Sequence, residues 1–315
     1  MRTASCLILM ILSFSFLTAQ TEWSTFEQIK NVKSTDVKQL AEDITSPYHD
    51  ELDKIKAIYY WVTHNIAYDV KTLEKLEKKG FKSERLTLQE LNKQKRKALE
   101  KTLKKKKGVC QNYTNLVNAL CEQINVESQL ISGFSQAGPL NSGLGNPHAW
   151  NAIKYQDEWC LLDATFGAGQ VQNGKKFKFD FNEAMFFVDP KKFILNHFPK
   201  DSAWQLLEKP IDEDTFTEYP WVASGFFKLG LSNLGLKKRK IKAARGQDVI
   251  ITFQSATDIK EVHLFNMKSR KKVNTTFTKT DSNYTLTIPQ KNVRSGYYML
   301  QSEQGILMSY RISKR

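Results

Sequence analysis

The stretch Lys107-Gly108-Val109-Cys110-Gln111-Asn112-Tyr113 constrains this chain most, because it sets a cysteine at the head of an apolar helix. Tyr113, Val117, Leu120, Cys121 and Ile124 recur at helical spacing and make one buried stripe. Cys110 therefore stands in the first turn. Unpaired N–H groups and the positive end of the helix dipole favour an anion there, pulling a thiol below its ordinary pKa of about 8.5.

Two later stretches supply partners for that sulfur. His148 to Tyr155 and Glu158 to Thr165 read as strands of a hairpin turning at Gln156-Asp157. If Tyr155 faces Glu158, Trp150 faces Asp163 and His148 faces Thr165, so His148 and Asp163 are diagonal neighbours on one face. Cys160 then points to the opposite face. Cys110, His148 and Asp163 thus offer a nucleophile, a base and an orienting carboxylate in chain order. The loop Gln136 to Pro147, rich in small residues, delivers His148 and lets backbone approach a substrate.

Other uses of the cysteines fit less well. Residues 1–19, with an apolar run from Cys6 to Leu17 and a small-residue exit at Ala19, read as an export signal, which predicts a periplasmic or extracellular protein. Its removal leaves Cys110, Cys121 and Cys160, an odd number with at least one free thiol. Cys110 and Cys121 would be roughly 16 Å apart on one helix, beyond disulfide reach. No cysteine pair has zinc spacing and no acidic loop resembles a calcium site, so neither metal nor cofactor is expected. Cys121 and Cys160 read as small buried hydrophobes.

The net charge of +14 is concentrated: residues 71–107 hold fifteen Lys or Arg against five Glu. This reads as a solvated helical insertion, with contact to an anionic envelope surface as the sharper alternative. It lacks interleaved aromatic residues, which argues against nucleic acid. Residues 50 to 66 have the spacing of a helix buried on one face. Beyond a linker at 223–236, residues 237–315 show short β-rich runs at hairpin intervals, which predicts a small sandwich after a domain spanning 20–222.

Four ordered segments carry a family resemblance. Ile58-Tyr59-Tyr60-Trp61-Val62 with Tyr68-Asp69, Lys107 to Tyr113, Pro147-His148-Ala149-Trp150-Asn151 and Trp159 to Gly167 resemble the transglutaminase-like superfamily, and within it the kyphoscoliosis-peptidase-like branch in its secreted bacterial form. Members of that branch also carry segments like His197-Phe198-Pro199 and Trp204-Gln205-Leu206-Leu207. The resemblance implies an α+β fold: a papain/transglutaminase-like core, with a nucleophile helix packed on an antiparallel sheet, followed by a small all-β sandwich-like domain. Carried across, Cys110, His148 and Asp163 are catalytic. Gln111, Asn112 and Trp150 are candidates for the cleft or for an oxyanion donor beside the Cys110 N–H. Asn112 stands where many relatives have Gly and is expected to narrow the space beside the sulfur. His197 is read as structural. The expected function is a secreted cysteine hydrolase or acyltransferase acting on protein or peptide amides through a thioester. The alternative is a non-catalytic binding or scaffold module on the same fold.

Overall fold

The hairpin register sets the geometry around the site. In a computed structural model, which describes residues 22–79, 87–136, 138, 143–172 and 174–314, Tyr155 pairs with Glu158 as expected. Gln156 and Asp157 both have positive φ, the backbone a two-residue hairpin of this twist requires. The export signal read at 1–19 lies outside the described residues.

The core pairs helices with one antiparallel sheet. The helices are α1 (Val37–Thr45), α2 (Glu51–Asn65), α3 (Val70–Lys79), α4 (Leu88–Lys105) and α5 (Cys110–Gln123). Asp50 starts α2 by accepting from the N–H of Leu52 at 2.8 Å, and Ile55, Ile58, Tyr59 and Val62 carry it into the core. A two-residue strand, β1 (Ala67–Tyr68), pairs in parallel with β2 (Lys107–Gly108), which immediately precedes α5. The sheet comprises β3 (Ser128–Ser135), β4 (Asn146–Tyr155), β5 (Glu158–Leu162) and, beyond a short helix α6 (Ala164–Ala168) and a hairpin of β6 (Gly169–Gln172) with β7 (Lys176–Phe179), β8 (His197–Pro199). Its order is β5-β4-β3-β8, and α5 lies against β3 and β4.

One part of the expected register changes. β5 stops at Leu162, opposite Asn151, and Asp163 leaves the ladder to cap α6. Thr165 therefore sits in a helix and does not face His148. The carboxylate does more as an N-cap than as a strand residue, because its Oδ1 accepts from the N–H groups of Thr165 and Phe166 at 2.7 and 3.0 Å.

The Lys-rich insertion is helical where described. A Thr87–Glu90 capping box opens α4, whose described positions from 89 to 97 are exposed, and Leu103 anchors its end in the core. Residues 223–236, read as a linker, are packed. A short helix, Ser224–Lys228, buries Phe226 and Phe227, and Leu231 follows them inward. Strand β9 (Trp221–Val222) pairs with the last strand of the C-terminal domain. That domain is a sandwich of two sheets made from β10 (Lys240–Ala243), β11 (Val249–Gln254), β12 (His263–Asn266), β13 (Lys271–Val273), β14 (Thr276–Thr280), β15 (Asn283–Ile288), β16 (Gly296–Ser302) and β17 (Gly305–Lys314). The sheet orders are β10-β17-β16-β12-β13 and β11-β15-β14. Among the described residues no helix is long and apolar enough to cross a membrane.

Candidate active site

Cys110 is the first residue of α5, so its own N–H and that of Gln111 precede the first i→i−4 bond, from Tyr113 to Val109. Strand β4 sets His148 beside the sulfur, where its imidazole and the Ala149 N–H both favour the thiolate. On the other side of the imidazole, Nε2 lies 2.6 Å from Oδ2 of Asp163, leaving Nδ1 for the thiol. Asp163 is fully buried and His148 is 9% exposed, so this pair is held away from water while Cys110 keeps access to solvent.

Burial alone would push the Cys110 thiol up, but the hydrogen bond and charge of His148 and the Ala149 N–H outweigh it, and the thiol titrates below its ordinary value. Burial likewise opposes a charge on His148, yet the Asp163 carboxylate holds it up to about 10. Asp163 pays for its burial through both its histidine partners and stays below the usual carboxylate range. The lowered thiol and the raised imidazole both favour a thiolate beside an imidazolium. The other cysteines contrast with this: burial pushes Cys121 up to about 12 and also raises Cys160.

Known proteins resemble this chain over much of its length. The transglutaminase-like superfamily model matches residues 38–164, a span that contains Cys110, His148 and Asp163. Residues 38–164 form a transglutaminase-like domain. Kyphoscoliosis peptidase of Mus musculus is 28% identical over 238 residues, covering 74% of this chain and 33% of the relative. The Homo sapiens protein of that name is 28% identical over 236 residues, covering 73% and 33%. Hillarin of Drosophila melanogaster is 26% identical over 137 residues, covering 38% and 17%. The chain thus spans about a third of the length of the kyphoscoliosis peptidases it matches.

Within this transglutaminase-like domain the side chains of the three cleft or oxyanion candidates have their own partners. Gln111 is exposed, and its Nε2 donates along its own helix to Asn115 Oδ1 at 3.2 Å. The Asn112 amide is engaged by groups other than the sulfur. Its Oδ1 accepts from the Val109 N–H at 3.0 Å and its Nδ2 donates to Thr102 Oγ1 at 3.0 Å, fastening the start of α5 to α4. A Cβ on Gly108 would meet Asn112 Cβ at 2.4 Å, so the amide is seated over a glycine that makes room for it. Trp150 is 1% exposed and forms a wall behind the site, its ring 6.0 Å from that of His148. Its Nε1 has no acceptor among the described residues and no access to a cleft.

One site residue has a larger part than its sequence reading gave it. His197, expected as structural, donates from Nε2 to the same Asp163 Oδ2 at 3.0 Å. Strand β8 pairs with β3 beside it, and Gly133 of β3 lies between, where a Cβ would meet the Trp150 ring at 2.5 Å. A glycine inside an apolar strand next to a His-Phe-Pro segment was the available signal.

Proposed function

We propose that the protein is a cysteine hydrolase of protein or peptide amides, working through Cys110, His148 and Asp163 and a thioester acyl-enzyme. The observation that carries this reading is the Cys110–His148–Asp163 line at a helix N-terminus, with a thiol drawn below its ordinary pKa. The thiolate adds to the amide carbonyl carbon, and the developing oxyanion is met by first-turn N–H groups of α5, the Cys110 N–H foremost. Collapse breaks the C–N bond as His148 gives its Nδ1 proton to the leaving amine, leaving a thioester on Cys110. His148 then takes a proton from water as the hydroxyl attacks, and the acid leaves with the thiolate and imidazolium restored. An amine in place of water would give transfer. The peptidase names of the mouse and human relatives support hydrolysis over crosslinking. The apolar N-terminal run supports work outside the cytoplasm, and the exposed basic face of α4 supports contact with anionic envelope surfaces.

The test is to incubate wild type and Cys110→Ala with a peptide mixture, with and without a primary amine, and read products by mass. Cleavage products that require Cys110 are expected, with few amine adducts. A broad mixture yielding no Cys110-dependent product would move the assignment to a binding or scaffold module. Iodoacetamide near neutral pH should label Cys110 well before Cys121 and Cys160, and equal rates at all three would remove the activated thiol.

A further inference from the structure

Asp163 serves two histidines, and the reaction proposed above uses one of them. A carboxylate has about four acceptor sites. Here all four are occupied, by the N–H groups of Thr165 and Phe166 on Oδ1 and by His148 and His197 on Oδ2. His197 is fully buried and its ring is fixed. It stacks on Phe193 with centroids 3.8 Å apart at 9°, meets the edge of Trp150 at 5.2 Å, and has Phe166 at 5.0 Å. No water can replace its N–H.

The geometry points to His197 as a positioning residue, whose Nε2–H keeps Asp163 ionised and so keeps the Nε2 proton on His148. This rests on the Cys110–His148–Asp163 reading. A buried carboxylate short of one donor is costly. The nearest relief is the Nε2 proton of His148, 2.6 Å away. If that proton crossed to Asp163, His148 would be left neutral with its hydrogen on Nδ1. No imidazolium would then hold the thiolate, and Cys110 would titrate higher. Burial keeps His197 itself neutral despite Asp163, and the charge of His148 works in the same direction. Its Nδ1 has no partner in good hydrogen-bond geometry, though the Phe193 carbonyl lies on that side. The proton therefore belongs on Nε2, where a carboxylate accepts it. The titratable groups facing Cys110 are His148, Asp163 and, from β1, Tyr68, while those facing His197 are Asp163 and His148.

The experiment follows alkylation of Cys110 by iodoacetamide against pH, by mass, in the full chain. His197→Phe keeps the stacked ring and removes the donor, and His197→Gln sets an amide N–H near the place of Nε2. The alkylation midpoint of His197→Phe is expected to rise by about one pH unit and its rate at a pH below the wild-type midpoint to fall roughly tenfold, with His197→Gln back within about threefold of wild type. A merely structural His197 would lower the melting temperature of both variants and leave the midpoint where it was. A folded His197→Phe with the wild-type midpoint overturns the inference, as does His197→Gln failing to recover what His197→Phe loses. Should His197→Phe not fold, His197→Asn, whose amide falls short of Asp163, is read in its place. Alkylation needs no substrate, so the two readings fail separately. Wild-type Cys110 reacting no faster than Cys121 at any pH removes the activated thiol, whereas a low wild-type midpoint that survives loss of the donor removes only the role of His197.

Discussion

Replacing Asn112 by Ala separates two accounts of the residue two positions after the sulfur-bearing cysteine. If its side chain crowded the sulfur, trimming it would speed the reaction. The structure gives it another task, and the cost can be worked bond by bond. Asn112→Ala removes the acceptor of the Val109 N–H and the donor to Thr102 Oγ1, each at 3.0 Å. Thr102 keeps its own bond to the Ala98 carbonyl at 2.8 Å, so the orphan created is the N–H of Val109, a residue only 7% exposed. A net hydrogen bond contributes about 1 kcal/mol, and a buried donor left unmet costs about 1–3 kcal/mol. The variant should therefore lose about 2–3 kcal/mol, and Asn112→Gly about 1 kcal/mol more from helix propensity. Urea unfolding at constant slope reads the loss as a lower midpoint. Thr102→Val, alone and combined with Asn112→Ala, should show coupling of about 1 kcal/mol. Cys110-dependent turnover of the folded variant should stay within about threefold, because the amide's hydrogen bonds go to Val109 and Thr102. A loss under about 0.5 kcal/mol, or a Gly variant more than tenfold faster than wild type, would refute the reasoning.

Gly167→Ala should destabilise by about 1–3 kcal/mol, since overpacking a core forces side chains aside. The new Cβ would lie 2.0 Å from Oη of the buried Tyr59, which donates to the Asn182 carbonyl at 2.7 Å. A melting temperature equal to wild type would show that Tyr59 can yield freely. The pH dependence of stability follows from the histidine pair. His148 is raised to about 10 when folded, so its contribution is full below its unfolded value of about 6.5 and is lost as pH climbs through the folded one. The difference in urea midpoint between wild type and His148→Gln should therefore shrink from pH 6.5 to pH 10, and a constant difference would contradict the raised value. Asp163, held low, contributes above its unfolded value of about 3.9 and loses that contribution as pH falls through its folded one. His197, pushed down by burial, costs stability on acidification below about 6.5. Stability should fall on both sides of about pH 6.5.

The local parts of the site were legible because their causes are local. A two-residue turn with both φ values positive fixes the β4–β5 register, and that register ends β5 at Leu162 opposite Asn151, one residue before the capping Asp163. Helical spacing alone sets Cys110 at the head of α5. The failures begin where a side chain answers to something distant. Asn112 was read against the sulfur beside it, but its partner Thr102 sits on α4, and no local pattern names that residue. Thr165 continued an alternation that Asp163 had already ended, because a capping carboxylate satisfies two helix N–H groups that a strand would leave open. His197 lies 34 residues beyond Asp163 and reaches it only because β8 adds to the far edge of β3.

The same distinction holds between domains. Composition suggested a linker at 223–236, yet the two domains are joined through buried polar groups set just before it and far upstream. The Gln136 carbonyl accepts from Trp221 Nε1 at 2.6 Å, its Nε2 donates to the Phe216 carbonyl at 3.3 Å, and its Oε1 accepts from Arg239. Asn196, beside His197, accepts on Oδ1 from the Gln136 N–H at 3.0 Å and donates to the Val222 carbonyl at 2.8 Å. Trp221 and Val222 are in turn strand partners of Ser309 and Met308 in the sandwich. The strand that leads into the His148 loop and the turn that presents His197 are thus both tied to the segment that pairs with the sandwich. Removing residues 237–315 would therefore strip β9 of its partner strand and leave Trp221 and Val222 unpaired.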